Sequence, residues 1–246
     1  LGLKGGIGKT TTCVNLGAAL AQRGQRVLLI DTDTQANVSL ALGVTQVKKS
    51  LVDILMRKAS AAACVLPARP NLDLIPSDLG LFKAQQRMVL EVAREEIFSE
   101  LFSELVDYDY HILDCAPSAS LLTINAVAYV EEVYIPVSME MLALAGARQF
   151  MTYLRSISRL LGRGAAIRLI IPTCFDARRR ASAEVLSSLK ADFGDKVTFP
   201  IRIDTSLSEA PGKGKTIFEY APRSRGAADY ALLAEIVAQL PPLAAT

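Results

Sequence analysis

A chain of 246 residues, 51% of them apolar, is long enough for one large α/β domain with helices on both sides of a sheet. Its 27 basic and 25 acidic residues leave a net charge of +2, so overall charge announces no nucleic-acid partner. Four cysteines without a C-x-x-C pair argue against a metal cluster or a disulfide framework, and no apolar run reaches the roughly 18 residues that span a bilayer, which predicts a soluble, cytoplasmic protein.

The chain opens with Leu1-Gly2-Leu3, then Lys4-Gly5-Gly6-Ile7-Gly8-Lys9-Thr10-Thr11, and a helix is predicted over 11–23. A glycine-rich turn that opens a helix offers backbone N–H groups and the positive helix end to phosphate oxygens. Gly5, Gly6 and Gly8 let the backbone around Ile7 wrap closely, Lys9 is placed to reach the β- and γ-phosphates, and Thr10, followed by Thr11, is placed to hold Mg²⁺. Phosphate loops follow a buried strand, and so few residues precede this one that a first central strand is expected to be missing.

Strands are predicted over 27–30, 72–75, 111–113, 133–137, 169–171 and 197–199, and helices over about 79–105, then 121–129, 142–161, 179–192 and 226–240. This alternation predicts an α/β fold, a mostly parallel sheet with helices on both faces, in which ligands bind beyond the carboxyl ends of the strands. The first strand runs into Asp31-Thr32-Asp33. A carboxylate there, beside a γ-phosphate, can orient water, and it can equally cap the helix that follows. The only histidine, His111, falls in an apolar strand and reads as a core or sheet-face residue.

The loop carries Leu3 where the usual phosphate-loop pattern has its first glycine, and a second lysine, Lys4, beside it. In this it resembles the deviant Walker A box of the ParA/MinD family of phosphate-loop NTPases. The stretch from Leu28 to Asn37 resembles the family's D-x-D-P-Q-x-N switch with Thr34 in place of proline, and Tyr110 to Ser118 its Walker B strand, with Ala116 departing from D-x-P-P-S. Ile135-Pro136-Val137-Ser138-Met139-Glu140 with Gly146, the L-S-E-A-P segment from Leu207 to Lys215, and Pro222 to Ala227 match later family segments, so the resemblance covers nearly the whole chain as a single domain, 1–246.

The resemblance implies an ATPase using ATP and Mg²⁺ that forms a homodimer when ATP-bound. Lys4 then reaches the partner's phosphates, Lys9 and Asp33 serve catalysis, and Thr10, Asp31 and Asp114 form the Mg²⁺ side. It also implies adenine contacts near Pro172, Thr173, Pro200 and Arg202. Relatives bind DNA without sequence preference, and the candidates here are Arg178, Arg179, Arg180, Arg202, Lys213, Lys215, Arg223 and Arg225; each reads equally well as an ordinary solvated charge. Where relatives carry arginines before L-S-E-A-P, this chain has Ile203-Asp204-Thr205-Ser206. The end, Val-Ala-Gln-Leu-Pro-Pro-Leu-Ala-Ala-Thr, lacks the basic amphipathic helix of membrane-anchored relatives, which predicts no membrane partner. The expected function is a partition ATPase, nucleoid-associated in bacteria, that segregates chromosome or plasmid DNA with a ParB-like activator. The alternatives are positioning of a protein cargo such as a carboxysome, chemoreceptor array or flagellar machine, or an ATP-dependent regulatory switch.

Overall fold

The computed structural model describes residues 1–2, 4–162 and 165–243; Leu3, at the first position of the glycine pattern, and the last three residues of the tail lie outside the described residues. Helix α1 (Lys9–Gln22) starts directly after Gly8, whose φ of 86° suits glycine and which offers no side chain to cap the first turn. Strand β1 (Val27–Asp31) is buried throughout, with Val27 and Leu29 in the core that includes α1 and Leu28 and Ile30 in a second core. Helices α2 (Asn37–Leu42) and α3 (Leu51–Leu55) follow, the latter opened by a capping box of Ser50 and Asp53. Next come β2 (Leu66–Arg69), β3 (Leu72–Ile75), α4 (Leu81–Met88), α5 (Ile97–Leu101) and β4 (Tyr110–Asp114). The second half runs α6 (Leu121–Tyr129), β5 (Glu132–Ser138), α7 (Met141–Leu161), β6 (Ala166–Thr173), α8 (Arg180–Phe193), α9 (Thr205–Glu209), α10 (Ile217–Tyr220) and α11 (Arg225–Gln239).

Strands order as β2-β3-β1-β4 in one sheet and β5-β6 in another, every pairing parallel except β2 with β3. Helices cover both faces: α1 and α11 pack in one core with residues of β1, β3 and β6, while α3, α4, α5 and α6 pack in the opposite one. A third core joins β5 and β6 to α7 and α8. Between β4 and β5 no ladder forms, and a cavity of about 690 Å³ lies there, lined by both strands. Tyr110 to Leu113 of β4 are only half-buried, unlike β1, and the Leu1 ammonium donates to the Tyr134 carbonyl oxygen at 3.0 Å.

Two expected elements differ. The helix over about 79–105 breaks into α4 and α5, because extending the 3.6-residue period past Met88 would bring Glu91 and Glu95 onto the apolar face; the chain instead turns, with Ala93 at φ 51°, and restarts with Ile97 and Phe98 buried. The strand over 197–199 does not form as a ladder. The segment does run beside β6, with Thr198 N–H donating to Ile170 O at 3.0 Å and Ile201 N–H to Pro172 O at 2.8 Å, but Pro200 has no N–H to continue the pairing. The short β2 and helices α2, α3, α9 and α10 were not predicted. They have too few residues to show a period.

One backbone contact ties the turn after α2 to the segment before α10. A Cβ on Gly214 (φ 62°) would lie 2.6 Å from the Gly43 Cα. Arg69 clamps the same junction, donating to Leu42 O at 3.2 Å, Gly214 O at 3.0 Å and the Glu219 carboxylate at 2.6 Å. Gly214→Ala should therefore destabilise the protein by about 2–3 kcal/mol and lower Tm by roughly 5–10 °C. Thermal denaturation checks this, and an unchanged Tm would show that the two backbones have room to part.

Candidate nucleotide site

The loop closes around its glycines. Gly6 and Gly8 take φ of 71° and 86°, and Ile7 between them is buried in the core of β5 and β6, which pins the loop to that sheet. Thr173, at the end of β6, lies under the loop and donates its hydroxyl to the Ile7 carbonyl at 2.8 Å. Buried Pro172 precedes it, and Pro200 lies half-buried on the neighbouring edge segment. Thr173, expected near adenine, thus braces the loop with its hydroxyl.

At the helix end, Thr10 donates its hydroxyl to Asp114 Oδ2 at 2.6 Å. The β1–β4 register sets Asp31 directly opposite Asp114, so the two strand ends present carboxylates side by side. Burial pushes Asp114 up to about 6 against the Thr10 hydrogen bond, and burial, then Asp114, push Asp31 up to about 8. Both oxygens of Asp31 are engaged, accepting from Asp33 N–H at 3.0 Å and Val38 N–H at 3.2 Å, so it brackets the switch turn. Thr32 ties the same turn to β4, its N–H and hydroxyl both donating to the Asp114 carbonyl, at 2.9 and 2.8 Å.

The site is short of positive charge. Lys9 is its inner cation; burial lowers its pKa, while Asp114 and Asp33 raise it, and its Nζ donates to the Lys4 carbonyl at 2.8 Å. A hydroxyl and a carboxylate converging beside an uncapped helix start are an oxygen donor set that fits Mg²⁺, which takes one or two protein ligands and completes its shell with phosphate and water. Among the described residues no group of three or more His, Cys, Asp or Glu gathers to hold a metal on its own. Asp33 stands at the turn's edge with its carboxylate accepting, among the described residues, only Gln35 N–H, at 3.1 Å, and its main-chain oxygen held by the Ser77 hydroxyl at 2.6 Å. It does not cap α2, whose N-cap is Ala36 at φ 51°.

The ends of Lys4 point two ways: the carbonyl inward to Lys9, the ammonium outward to Glu140 Oε2 at 2.7 Å. Glu140 and Ser77 were not assigned roles from sequence. Each touches the site from more than 40 positions away, a proximity only the fold creates. Lys215 lines a cavity of about 190 Å³ with Thr10, Thr11 and Asn37, which brings it beside the loop's helix. His111 accepts or donates to the Tyr129 hydroxyl at 2.5 Å on the sheet face, away from the loop.

The other basic candidates divide. Arg178 is forked onto Asp176 at 3.0 and 2.9 Å, Arg180 pairs with Glu184 at 2.9 Å, and Arg202 makes four hydrogen bonds to the buried Asp229, the shortest 2.6 Å. Arg202, expected at both the adenine and the DNA surface, has its guanidinium committed to that carboxylate. Arg179, Lys213, Lys215, Arg223 and Arg225 are exposed, with no ion pair among the described residues. No helix among the described residues is long and apolar enough to cross a membrane.

An AAA-domain family model matches residues 2–164. The chain is 41% identical over 240 residues to the sporulation initiation inhibitor protein Soj of Bacillus subtilis, an alignment covering 96% of this chain and 95% of Soj. It is 36% identical over 241 residues to the chromosome partitioning protein ParA of Caulobacter vibrioides, covering 95% and 90%. Its fold matches the septum site-determining protein MinD of Pyrococcus horikoshii, complexed with Mg-ADP, with a TM-score of 0.81 and 26% identity over 97% of this chain and 94% of that one. Identity of this order, sustained from the phosphate loop to the last helix, places the chain in the ParA/Soj family of partition ATPases, within the ParA/MinD superfamily.

Proposed function

We propose that the chain is a Mg²⁺-dependent ATPase that cycles between an ATP-bound homodimer held on nonspecific DNA and a released form, and that a ParB-like activator couples this cycle to chromosome or plasmid segregation. The observation that carries the reading is the Thr10–Asp114 contact at the uncapped start of α1, beside Lys9 and an available Asp33 carboxylate. Mg²⁺, when bound, would supply charge neutralisation to the triphosphate. Thr10 and Asp114 are the residues that would hold it. Lys9 exchanges the Lys4 carbonyl for phosphate oxygen, the loop N–H groups orient the triphosphate, and Asp33 places the attacking water and accepts its proton late. Lys4 extends to the partner's phosphates. Residues 1–246 act as one ATPase domain.

DNA retention is the test. Two protomers bring ten unpaired cations from Arg179, Lys213, Lys215, Arg223 and Arg225, and about six phosphate contacts would weaken binding roughly 10³-fold between about 50 and 200 mM salt. Filter or surface retention on nonspecific DNA across a salt series, with ATP and Mg²⁺ against ADP, measures it. Retention that is absent or indifferent to nucleotide would sink the nucleoid-based reading. It would favour a protein cargo or a regulatory target, to which the neutralised Arg178, Arg180 and Arg202 already lend support.

A further inference from the structure

The outward half of Lys4 has a partner that phosphate chemistry does not require. Glu140 stands just before α7 in extended conformation and makes no capping bond to its own helix. Its backbone is fixed: Met139 N–H donates to Thr173 O at 3.0 Å, and Thr173 also braces the phosphate loop. The carboxylate meets the Lys4 ammonium at 2.7 Å on an open rim, with the two side chains 58% and 38% exposed. Met141 and Leu142, next in the chain, are 62% and 77% exposed, so this rim is apolar as well as charged and free to receive another surface. Lys9 holds the Lys4 carbonyl from within, while the Lys4 ammonium is turned outward to Glu140.

We propose that Glu140 is the positioning residue for Lys4: it holds the ammonium on the rim of the uncomplexed protomer and competes with the incoming partner's triphosphate for it. The inference rests on the proposed ATP-bound dimer. An exposed lysine–glutamate pair is weak enough to be given up, and phosphate oxygens are the stronger acceptor, so the exchange goes forward once a charged triphosphate is presented. In a two-fold dimer both pairs must open, so the cost enters the dimerisation constant twice.

The experiment uses the full chain carrying Asp33→Ala, to slow hydrolysis, with and without Glu140→Gln. Dimerisation is followed by sedimentation or light scattering against protein concentration at saturating ATP and Mg²⁺. Glutamine keeps the size and removes the charge at an exposed position, so equal thermal melts of the two nucleotide-free proteins verify folding. Glu140→Gln should tighten the dimer by about 5- to 25-fold, and the gain should shrink between about 0.05 and 0.5 M salt as the competing ion pair is screened. A gain of about threefold or more that salt erodes supports the inference. A constant within about threefold of the parent overturns it, as does a gain indifferent to salt. A weaker dimer also overturns it, since Glu140 would then be an interface contact. If Asp33→Ala alone forms no ATP-dependent dimer, the dimer reading falls and takes this inference with it; if that dimer forms and is unaltered by Glu140→Gln, only the inference falls.

Discussion

Asp33→Ala should bind ATP and dimerise but lose hydrolysis by about 10²- to 10⁴-fold, the range spanned by a positioned acid–base group. The separation of binding from turnover follows from what holds the switch turn. Asp31 takes the backbone N–H groups of Asp33 and Val38, and Thr32 is bonded twice to the Asp114 carbonyl. The Asp33 carbonyl is fixed by Ser77, a contact that alanine keeps because it uses the main chain. Among the described residues the Asp33 carboxylate is bonded only to Gln35 N–H, at the solvent edge of the turn, so its removal costs little order. Neither the Lys9 hydrogen bond to the Lys4 carbonyl nor the Thr10–Asp114 hydrogen bond uses it. Phosphate release under saturating ATP measures turnover, and equilibrium binding of a fluorescent ATP analogue measures affinity. Normal turnover in the variant would remove Asp33 from the chemistry; lost binding would make it a structural part of the site.

The parts of this site that the sequence displays are those carried on short, contiguous patterns. Lys4 to Thr11 is one such pattern, and Asp31 and Asp114 each end an apolar run, so parallel pairing in register is enough to set them side by side. Residues that complete the site from a distance leave no such mark. Glu140 stands in a family segment but reaches Lys4 only because β5 and the phosphate loop share one end of the fold, and Ser77 reaches the switch only through the β1–β3 pairing. Charge is misleading for a similar reason. Arg178, Arg180 and Arg202 count as basic surface in a sequence, yet each is paired with a carboxylate, and for Arg202 that carboxylate is buried on α11, 27 positions away. At the level of elements, the period fails where two phases meet, as between α4 and α5. It also fails where a proline removes a ladder bond from a segment that otherwise lies in strand position.

Lys9→Ala should abolish measurable nucleotide binding, with ATP affinity falling by about 10²- to 10³-fold or more. Asp114 and Asp33 act on this ammonium, and burial already raises the pKa of Asp114 and of Asp31 opposite it. Without Lys9 a triphosphate would approach three carboxylates with only backbone dipoles and a metal to offset them. The lysine's present acceptor, the Lys4 carbonyl, is neutral and exchanges readily for phosphate, so the free protein keeps its loop. Loop shape rests instead on Ile7 packing and on Thr173, neither of which the substitution touches. Folding and binding therefore separate cleanly in one assay. The wild type should gain thermal stability with ATP and Mg²⁺ by mass action, while Lys9→Ala should melt near the nucleotide-free wild type and show no shift at the same nucleotide concentration. Lys9→Arg should fail to restore the shift, because a planar guanidinium cannot replace a compact ammonium enclosed by the loop. Wild-type affinity in Lys9→Ala would mean that phosphate is held elsewhere and would overturn the assignment of this loop.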